Sequence, residues 1–290
     1  MLARAVQAEP LSERPQSAAG GRPAHERAAR VSYLGHATVL VEVEGLRLLT
    51  DPLLRPRLGH LRRRAPLPEP ESLGRIDAVL VSHAHRDHLD LATIERLAGS
   101  PPVIGPGSVT GAVAKLGNRF RELRVGGTTR IGGIEIEGLV ADHDGGRLPV
   151  VGSREAIGFL AVPGGEGGDG GAGPTGIYFA GDTDIYAGMA ELRGRVDAAL
   201  VPISGWGPRV GPGHLNPDSA AKAIALIQPR RAIPIHWGTY QRIGMDASPA
   251  ALREPVERFA DQLSAVAPEV ELEVLPPGVV SSAAEGAPGS

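Results

Sequence analysis

A short run of chelating side chains follows an apolar segment, and this combination constrains the fold more than any other part of the sequence. The segment Ile76–Val81 is mostly apolar, as is typical of a buried strand. Three histidines and an aspartate then fall within six residues, at positions His83, His85, Asp87 and His88. Crowded titratable groups at a strand end are costly unless a positive charge holds them. Zinc takes nitrogen and oxygen ligands at such spacing, so the pattern predicts a metal site rather than a plain polar loop.

The spacing of this run also allows it to serve two ions. His83 and His85 project from the same side, because alternate residues of an extended chain share a face. Asp87 and His88 lie just beyond, where the chain can turn toward a second point. One short segment can therefore supply ligands to two neighbouring metals.

The composition limits the kinds of site and partner. The chain has 290 residues and no cysteine, which excludes disulfides and thiolate zinc sites, so any metal must be held by His, Asp or Glu. With 42% apolar and 22% charged residues, the chain can bury a core and is not a disordered polyelectrolyte. The net charge of −3 gives no indication of a nucleic-acid partner.

The two ends of the chain differ from its middle. Residues 1–29 mix Pro, Ser, Gly, Arg and Glu without periodicity and are predicted to be a disordered leader, and residues 279–290 a disordered tail. Residues 30–278 are expected to form one folded domain. Acidic residues in the leader argue against a transit peptide. No apolar run is long enough for a transmembrane helix and no signal peptide is recognised, so we expect a cytoplasmic protein.

Residues 30–51 predict a β-meander, with candidate site residues where its strands end. His36 is either a hydrogen-bonded structural histidine or a contact of the metal site. Asp51, which precedes Pro52, is either a turn-former or a partner for a ligand histidine. The second role follows because metal-bound imidazoles usually donate their other N–H to such a group.

The segment 53–73 is rich in arginine and proline, and no regular element fits it. Arg62 and Arg63 are candidates for holding an anionic substrate group, since guanidinium pairs well with phosphate or carboxylate. The alternative is a solvated charged loop.

Three further predicted strands end in chelating residues. These strands are Ile134–Val140, Gly176–Ala180 and Arg231–Ile235, and the residues that follow them are His143, Asp182 and His236. A carboxylate such as Asp182 can bridge two metals, because one oxygen can bind each ion. We expect these residues to join the first cluster.

A predicted helix places another histidine at the site. Asn216 and Pro217 have the pattern of a helix N-cap and first helical residue, which puts His214 two residues before the helix. His214 is then a candidate general acid or oxyanion contact, or else a loop histidine in a hydrogen-bond network. Pro255 is expected to begin the last helix.

The ordered set of motifs resembles the metallo-β-lactamase superfamily. That resemblance implies an α/β (α+β) fold, a four-layer αββα sandwich whose site lies at one edge between two sheets. It also implies a ligand assignment: His83, His85 and His143 for a first metal, Asp87, His88 and His236 for a second, and Asp182 as the bridge.

Local motifs narrow the resemblance within this superfamily. Gly35-His36-Ala37-Thr38, Thr50-Asp51-Pro52 and Ile235-His236-Trp237-Gly238-Thr239 are similar to the N-acyl-phosphatidylethanolamine phospholipase D family and its bacterial relatives. The same branch includes ascorbate-6-phosphate lactonase-like proteins. Phospholipase-type relatives often have Gln-His-Trp where this chain has Asp142-His143-Asp144, which leaves the ligand in place but separates this chain from them near the substrate.

The resemblance implies a zinc-dependent hydrolase in which two zinc ions share a hydroxide that is available at neutral pH. Asp87 would orient the hydroxide as well as bind metal, and His214 would contact an oxyanion or protonate the leaving group. A histidine at position 85, rather than a glutamate, favours zinc over the di-iron sites of flavoprotein relatives. Mn²⁺ or Fe²⁺ remain open, since affinity order alone does not decide occupancy.

Three functions are compatible with these residues. A phosphodiesterase of phospholipase D type, acting on a small-molecule or lipid-like ester, is the first. A lactonase acting on a cyclic ester such as a sugar-phosphate lactone is the second, and a metal-stabilised binding or regulatory protein with little turnover is the third. The complete ligand set favours an enzyme. We expect no nucleic-acid partner, and a homo-oligomer is possible.

Overall fold

The structure is a computed structural model that describes residues 29–146, 155–164, 176–205 and 210–280. Its strands are β1 (Arg30–Gly35), β2 (Thr38–Val43), β3 (Leu46–Thr50), β4 (Arg57–Leu58), β5 (Leu61–Arg63), β6 (Ala78–Leu80), β7 (Val103–Gly105), β8 (Phe120–Glu122), β9 (Thr128–Ile131), β10 (Ile134–Val140), β11 (Ile157–Pro163), β12 (Gly176–Phe179), β13 (Val196–Pro202), β14 (Arg231–Ile235), β15 (Tyr240–Arg242) and β16 (Glu271–Leu272). Its α-helices are α1 (Leu91–Glu95), α2 (Pro217–Ile227) and α3 (Pro249–Val266). Residues 1–28 of the predicted leader and most of the predicted tail lie outside the described residues, whereas Ala29, predicted as the end of the leader, is buried in the core.

Two large sheets carry the architecture. The first has the strand order β1-β2-β3-β6-β7-β8, and the second has the order β16-β14-β13-β12-β11-β10-β9. Strands β3, β6 and β7 run parallel in the first sheet, as do β12, β13 and β14 in the second. The carboxyl ends of parallel neighbours meet at one edge of a sheet, which brings together the loops that follow them.

The alternating sequence of the strands explains why the sheets stack. In β2, Val39 and Val41 belong to the core between the two sheets, whereas Leu40 belongs to a second core on the outer face of the first sheet. Phe159 and Leu200 meet the first group from the second sheet. A strand with apolar residues on both faces must be covered on both sides.

Helical layers supply these covers. Helix α1 and neighbouring 3₁₀ turns pack on the first sheet, and α2 and α3 pack on the second. The four-layer αββα arrangement predicted from the sequence is therefore confirmed. The side chain of Asn216 caps α2 by accepting from the N–H groups of Asp218 and Ser219, and Pro217 occupies the first helical position, as predicted.

The predicted start of the last helix is wrong. Helix α3 begins at Pro249 and is capped by Ser248, whose side chain accepts from the Ala251 N–H, so Pro255 lies inside the helix. An internal proline removes one helical hydrogen bond. The helix continues through it because its apolar face is buried on the second sheet, with Phe259 fully covered.

The arginine-rich segment 53–73 is more ordered than its sequence suggests. It contributes β4 and β5 to a small third sheet of order β15-β5-β4, followed by a 3₁₀ turn over Pro70–Leu73. The register of this sheet depends on β15, which is distant in sequence, and a local pattern could not predict it. No helix in the described ranges combines the length and apolarity that a membrane span requires.

Candidate metal centre

Four strands bring the chelating residues to one end of the sandwich. The loop after β6 carries the first cluster, and residues just beyond β10, β12 and β14 supply His143, Asp182 and His236. The potential ligand atoms fall into overlapping groups in which all atoms lie within 4.8 Å of one another. The structure thus brings together all seven residues to which the sequence assigned a metal.

The first group consists of three imidazoles. Nε2 of His83 lies 3.0 Å from Nδ1 of His85, and Nε2 of His143 lies 3.2 Å from the same atom. Zinc–nitrogen bonds of about 2.0–2.1 Å in a tetrahedron separate two nitrogens by about 3.3 Å. The spacing of the three nitrogens fits a single cation bound between them.

The second group surrounds His88. Its Nε2 lies 3.0 Å from Oδ2 of Asp182 and 3.4 Å from Oδ2 of Asp87. Nε2 of His236 lies 3.5 Å from Oδ1 of Asp182, so the two oxygens of this carboxylate face different histidines. The rings of His83 and His88 are 4.2 Å apart, which makes the two groups direct neighbours.

Backbone carbonyls fix the tautomers of two histidines. Nδ1 of His143 lies 2.9 Å from the carbonyl oxygen of Gly213, and Nδ1 of His236 lies 2.6 Å from that of Ser204. A carbonyl can only accept, so each Nδ1 carries the proton and each Nε2 presents a lone pair to the centre. This arrangement is common around metal-bound histidines.

Asp51 fixes the tautomers of two histidines of the first cluster. The Ser82 N–H donates to its Oδ1 at 2.7 Å, and its Oδ2 accepts from the Ser82 hydroxyl at 2.6 Å and from Nδ1 of His88 at 2.7 Å. Because the serine proton is used on Asp51, the serine oxygen accepts from Nδ1 of His83 at 2.9 Å. A single buried carboxylate therefore turns Nε2 of both His83 and His88 toward the centre.

Several buried atoms that could bind a metal have no hydrogen-bond partner. Among the described residues, Oδ1 of Asp182 and the Nε2 atoms of His88 and His236 have no hydrogen bond of acceptable geometry. Buried polar groups in folded proteins are almost always satisfied. A bound cation would satisfy a carboxylate oxygen and imidazole lone pairs together, so the residues present fit a metal.

The electrostatics of the site lead to the same conclusion. Burial lowers the pKa of His143 to about 4 and, together with the nearby His36 ring, the pKa of His236 to about 3. Both imidazoles are therefore neutral at pH 7 and can bind a cation without releasing a proton. Burial opposes a charge on His88, but the carboxylates of Asp182 and Asp87 outweigh it and raise the pKa of that residue well above its usual range. Negative charge gathered at this point favours a cation.

His36 adjoins the second group and contacts a ligand. Its Nε2 lies 3.0 Å from Oδ2 of Asp87, and its ring centroid lies 3.8 Å from that of His236. Burial opposes ionisation of Asp87, but contacts with His88 and His36 outweigh it and hold the pKa of the carboxyl well below its usual range. An ionised carboxylate only accepts, so Nε2 of His36 donates to it and is not free to bind a metal.

His214 lies at the more open side of the centre. Its Nε2 is 3.4 Å from Oδ2 of Asp182, and its Nδ1 donates to the Pro212 carbonyl at 3.1 Å. The contact with Asp182 raises the pKa of His214, although burial opposes the rise. Its side chain is 30% exposed, so an incoming molecule can reach the ring.

The two arginines predicted to hold substrate do not join this cluster. Arg62 points outward and is exposed, whereas Arg63 is buried and donates to the carbonyls of Leu34 and Pro66. They differ because they are adjacent in β5, where neighbouring residues face opposite sides. The guanidinium of Arg63 lies 5.7 Å from the ring centre of Tyr240, which in turn meets His36 edge-on at 5.6 Å.

Sequence reasoning offered Asp51 as a partner of a ligand histidine, one of two alternatives, but missed the other groups that orient these histidines. Ser82 directly precedes the first ligand histidine, and its position at the end of a buried strand was a usable signal. The carbonyls of Ser204 and Gly213 had no such signal, because every residue has a carbonyl and only the fold selects these two.

Comparison with known proteins agrees with this site. The Beta-lactamase superfamily domain model matches residues 46–237. A UPF0173 metal-dependent hydrolase of Methanopyrus kandleri is 32% identical over 259 residues, covering 86% of this chain and 97% of that protein. The N-acyl-phosphatidylethanolamine-hydrolyzing phospholipase D 1 of Caenorhabditis elegans is 32% identical over 240 residues, or 72% of this chain, and the match spans only 64% of the worm protein.

The fold comparison identifies a similar architecture. A metallo hydrolase from the hyperthermophilic archaeon Ignicoccus hospitalis has a TM-score of 0.64 at 22% identity, covering 87% of this chain and 96% of that one. At this identity the similarity shows the shared fold. The superfamily and the enzyme class expected from the sequence are confirmed by the family match and the archaeal relatives. The chain therefore belongs to the beta-lactamase superfamily and is a metal-dependent hydrolase of that family.

Proposed function

We propose that the protein is a phosphodiesterase that uses two zinc ions per chain. The observation that carries the proposal is the convergence of seven His and Asp side chains into two adjoining groups of donor atoms. Imidazole nitrogen and carboxylate oxygen, without thiolate, are donors that zinc accepts in catalytic sites. The name of the worm relative describes phospholipase D chemistry, and this supports a phosphodiester as the substrate bond.

On this proposal the ligands divide as the family resemblance implies. His83, His85 and His143 would hold one ion, Asp87, His88 and His236 would hold the other, and Asp182 would serve both. The close grouping of the first three residues and the contacts of Asp182 with His88 and His236 support this division. Zinc bound in this way would lower the pKa of a shared water and polarise a phosphoryl oxygen of the substrate.

Asp87 has a second function beyond binding metal. His36 donates to its Oδ2 and thereby fixes the plane of the carboxylate. A carboxylate held in this way can accept a hydrogen bond from the attacking water and orient it toward the phosphorus. This orientation saves entropy that a free water would lose in the transition state.

His214 is proposed to contact the substrate. Its two N–H groups face Asp182 and the Pro212 carbonyl, and its raised pKa keeps the ring protonated over a wider pH range than usual. A protonated imidazole can donate to a phosphoryl oxygen or protonate the leaving alkoxide. Its partial exposure allows substrate to reach it.

The wider setting remains part of the proposal. We propose a small-molecule or lipid-like ester as substrate, action in the cytoplasm, and no nucleic-acid partner. We also propose a homo-oligomer, which light scattering on the purified protein would test.

The proposal is tested by metal analysis combined with a substrate panel. We expect about two zinc ions per chain and turnover of phosphodiesters, with lactones hydrolysed poorly. The His85→Ala variant should lose turnover and metal, whereas His60→Ala, which removes an exposed histidine outside the ligand groups, should retain both. Preferential hydrolysis of lactones, or near-normal turnover in His85→Ala, would contradict the proposal.

A further inference from the structure

The small third sheet presents two arginines directly opposite each other. Arg57 of β4 pairs with Arg62 of β5 in the antiparallel register, and both side chains are exposed. Residues in such a pair have Cβ atoms about 5 Å apart on one face, and like charges in this position are destabilising. The sheet therefore keeps two cations together at a cost to its own stability.

Two nearby arginines are paired with carboxylates, whereas this pair, like the exposed Arg64 and Arg242, has no ion pair with a described residue. Arg55 lies 2.6 Å from Asp90, and Arg96 forms contacts of 2.6–2.8 Å with two glutamates. Among the described residues, no carboxylate forms an ion pair with Arg57 or Arg62, although Glu69 lines the adjoining groove and is already paired with Arg96. The fold thus leaves the charge of Arg57 and Arg62 available to a ligand.

A cavity of about 540 Å³ lies beside the pair. Arg57, Arg62 and part of Arg63 line it, together with apolar residues that include Leu67 and Ile243, and no carboxylate lines it. This volume is within the range of small-molecule sites, which run from about 300 to about 1,000 Å³. Arg63 also lines the cavity, but its buried guanidinium lies on the opposite side of β5 from Arg62 and donates to the Pro66 carbonyl, so we assign the anion to Arg57 and Arg62 alone.

The cavity is next to the metal centre but separate from it. Arg63 packs over one side of Tyr240, and the ring of Tyr240 meets His36 edge-on, which itself contacts the ligand Asp87. Arg63, which lines the cavity, is thus connected to the residues of the metal centre through Tyr240 and His36.

We propose that this cavity is a second binding site, specific for a phosphate or similar oxyanion held by Arg57 and Arg62. Guanidinium groups form paired hydrogen bonds with phosphate oxygens, and two of them on one face can hold one phosphate from two sides. The phosphate can belong to a diffusing compound or to a lipid headgroup. The inference does not depend on which ester the metal centre cleaves.

The test is calorimetric titration of inorganic phosphate into the full-length, metal-loaded protein. Phosphate at the metal centre gives one binding event common to all variants, and the affinity compared is that of the second event. The variant R57Q/R62Q is compared with the wild type and with a matched control, R121Q/R193Q. The control removes the same charge from two exposed arginines that form no ion pair with a described residue. We expect phosphate affinity to fall at least tenfold in R57Q/R62Q and to stay unchanged in the control.

Vesicle sedimentation distinguishes the two sources of phosphate. The vesicles contain phosphatidylcholine alone or phosphatidylcholine with phosphatidylglycerol. If the wild type binds the anionic vesicles and R57Q/R62Q does not, the ligand is a lipid headgroup. If none of the three proteins binds vesicles and R57Q/R62Q loses phosphate binding, the ligand is a diffusing phosphate compound. Equal phosphate affinity in wild type and R57Q/R62Q, or no phosphate binding by the wild type, would overturn the proposal.

Discussion

The substitution Asp51→Asn tests whether one buried carboxylate sets the orientation of the metal ligands. Asp51 is fully buried and accepts three hydrogen bonds, two from Ser82 and one from His88. Asparagine keeps one acceptor oxygen but places an NH₂ group where the other was. That group would face the donating Nδ1–H of His88, so the histidine must rotate or change tautomer.

The expected magnitude follows from the lost contact. A hydrogen bond to a charged group contributes about 1.5–3 kcal/mol, and about 1.4 kcal/mol corresponds to a factor of ten in affinity. We therefore predict that Asp51→Asn weakens metal binding by about tenfold to a hundredfold, in the range found when partners of ligand histidines are replaced. Ser82→Ala removes the hydroxyl that donates to Asp51 and accepts from His83 but leaves the contact between Asp51 and His88, so it should have a smaller effect of the same sign.

The assay is a competition titration of zinc between the protein and a chromogenic chelator. The matched control is Asp77→Asn, which makes the same chemical change just before β6 begins. There Asp77 accepts from the Arg47 N–H at 2.9 Å. Circular dichroism establishes that each variant is folded. Unchanged zinc affinity in folded Asp51→Asn, or an equal loss in Asp77→Asn, would refute the reasoning.

Three further substitutions test other parts of the structure. Asp182→Asn should reduce turnover at least a hundredfold, because it removes the charge that faces both ligand groups; steady-state kinetics showing a smaller loss would contradict the bridging role. Asp197→Asn should lower the free energy of unfolding by about 1 kcal/mol at pH 7, since hydrogen bonds from two arginines outweigh burial and lower the pKa of Asp197. A lowered pKa stabilises the fold above the unfolded value near 4, so the difference measured by denaturant unfolding should fade as the pH drops below about 4. Gly35→Ala should destabilise by about 1–3 kcal/mol, because φ is +116° and a Cβ would lie 2.7 Å from Thr239; an unchanged melting temperature would argue against this strain.

The residues that gather at the candidate metal centre could be singled out from the sequence because each follows a recognisable apolar strand. His143 was weak as an isolated residue, but the first cluster gave it a context, and Asp182 and His236 repeat the same pattern at later strand ends. The strand ends marked the candidates, but their convergence and their division between two metals came from the resemblance to the superfamily, since β10 is antiparallel to both of its neighbours. The start of α2 could be predicted for a similar reason, because its N-cap Asn216 and first residue Pro217 are adjacent in the sequence.

Features that depend on distant pairing could not be predicted. The strands of the arginine-rich segment are too short to show a period, and β15 fixes their register from a distance. Only that register reveals that Arg62 is exposed and Arg63 is buried. The start of α3 at Pro249 was not predicted, because a proline such as Pro255 usually marks the first turn of a helix. Here the packing of the apolar face keeps Pro255 inside the helix.

The most direct test of the account is anomalous diffraction at the zinc edge from crystals of the metal-loaded protein. We predict two neighbouring peaks, one among His83, His85 and His143 and the other among Asp87, His88 and His236, with Asp182 between them. Two peaks in these places would establish the paired centre on which the proposed chemistry depends. A single peak, or peaks bound to other side chains, would contradict it.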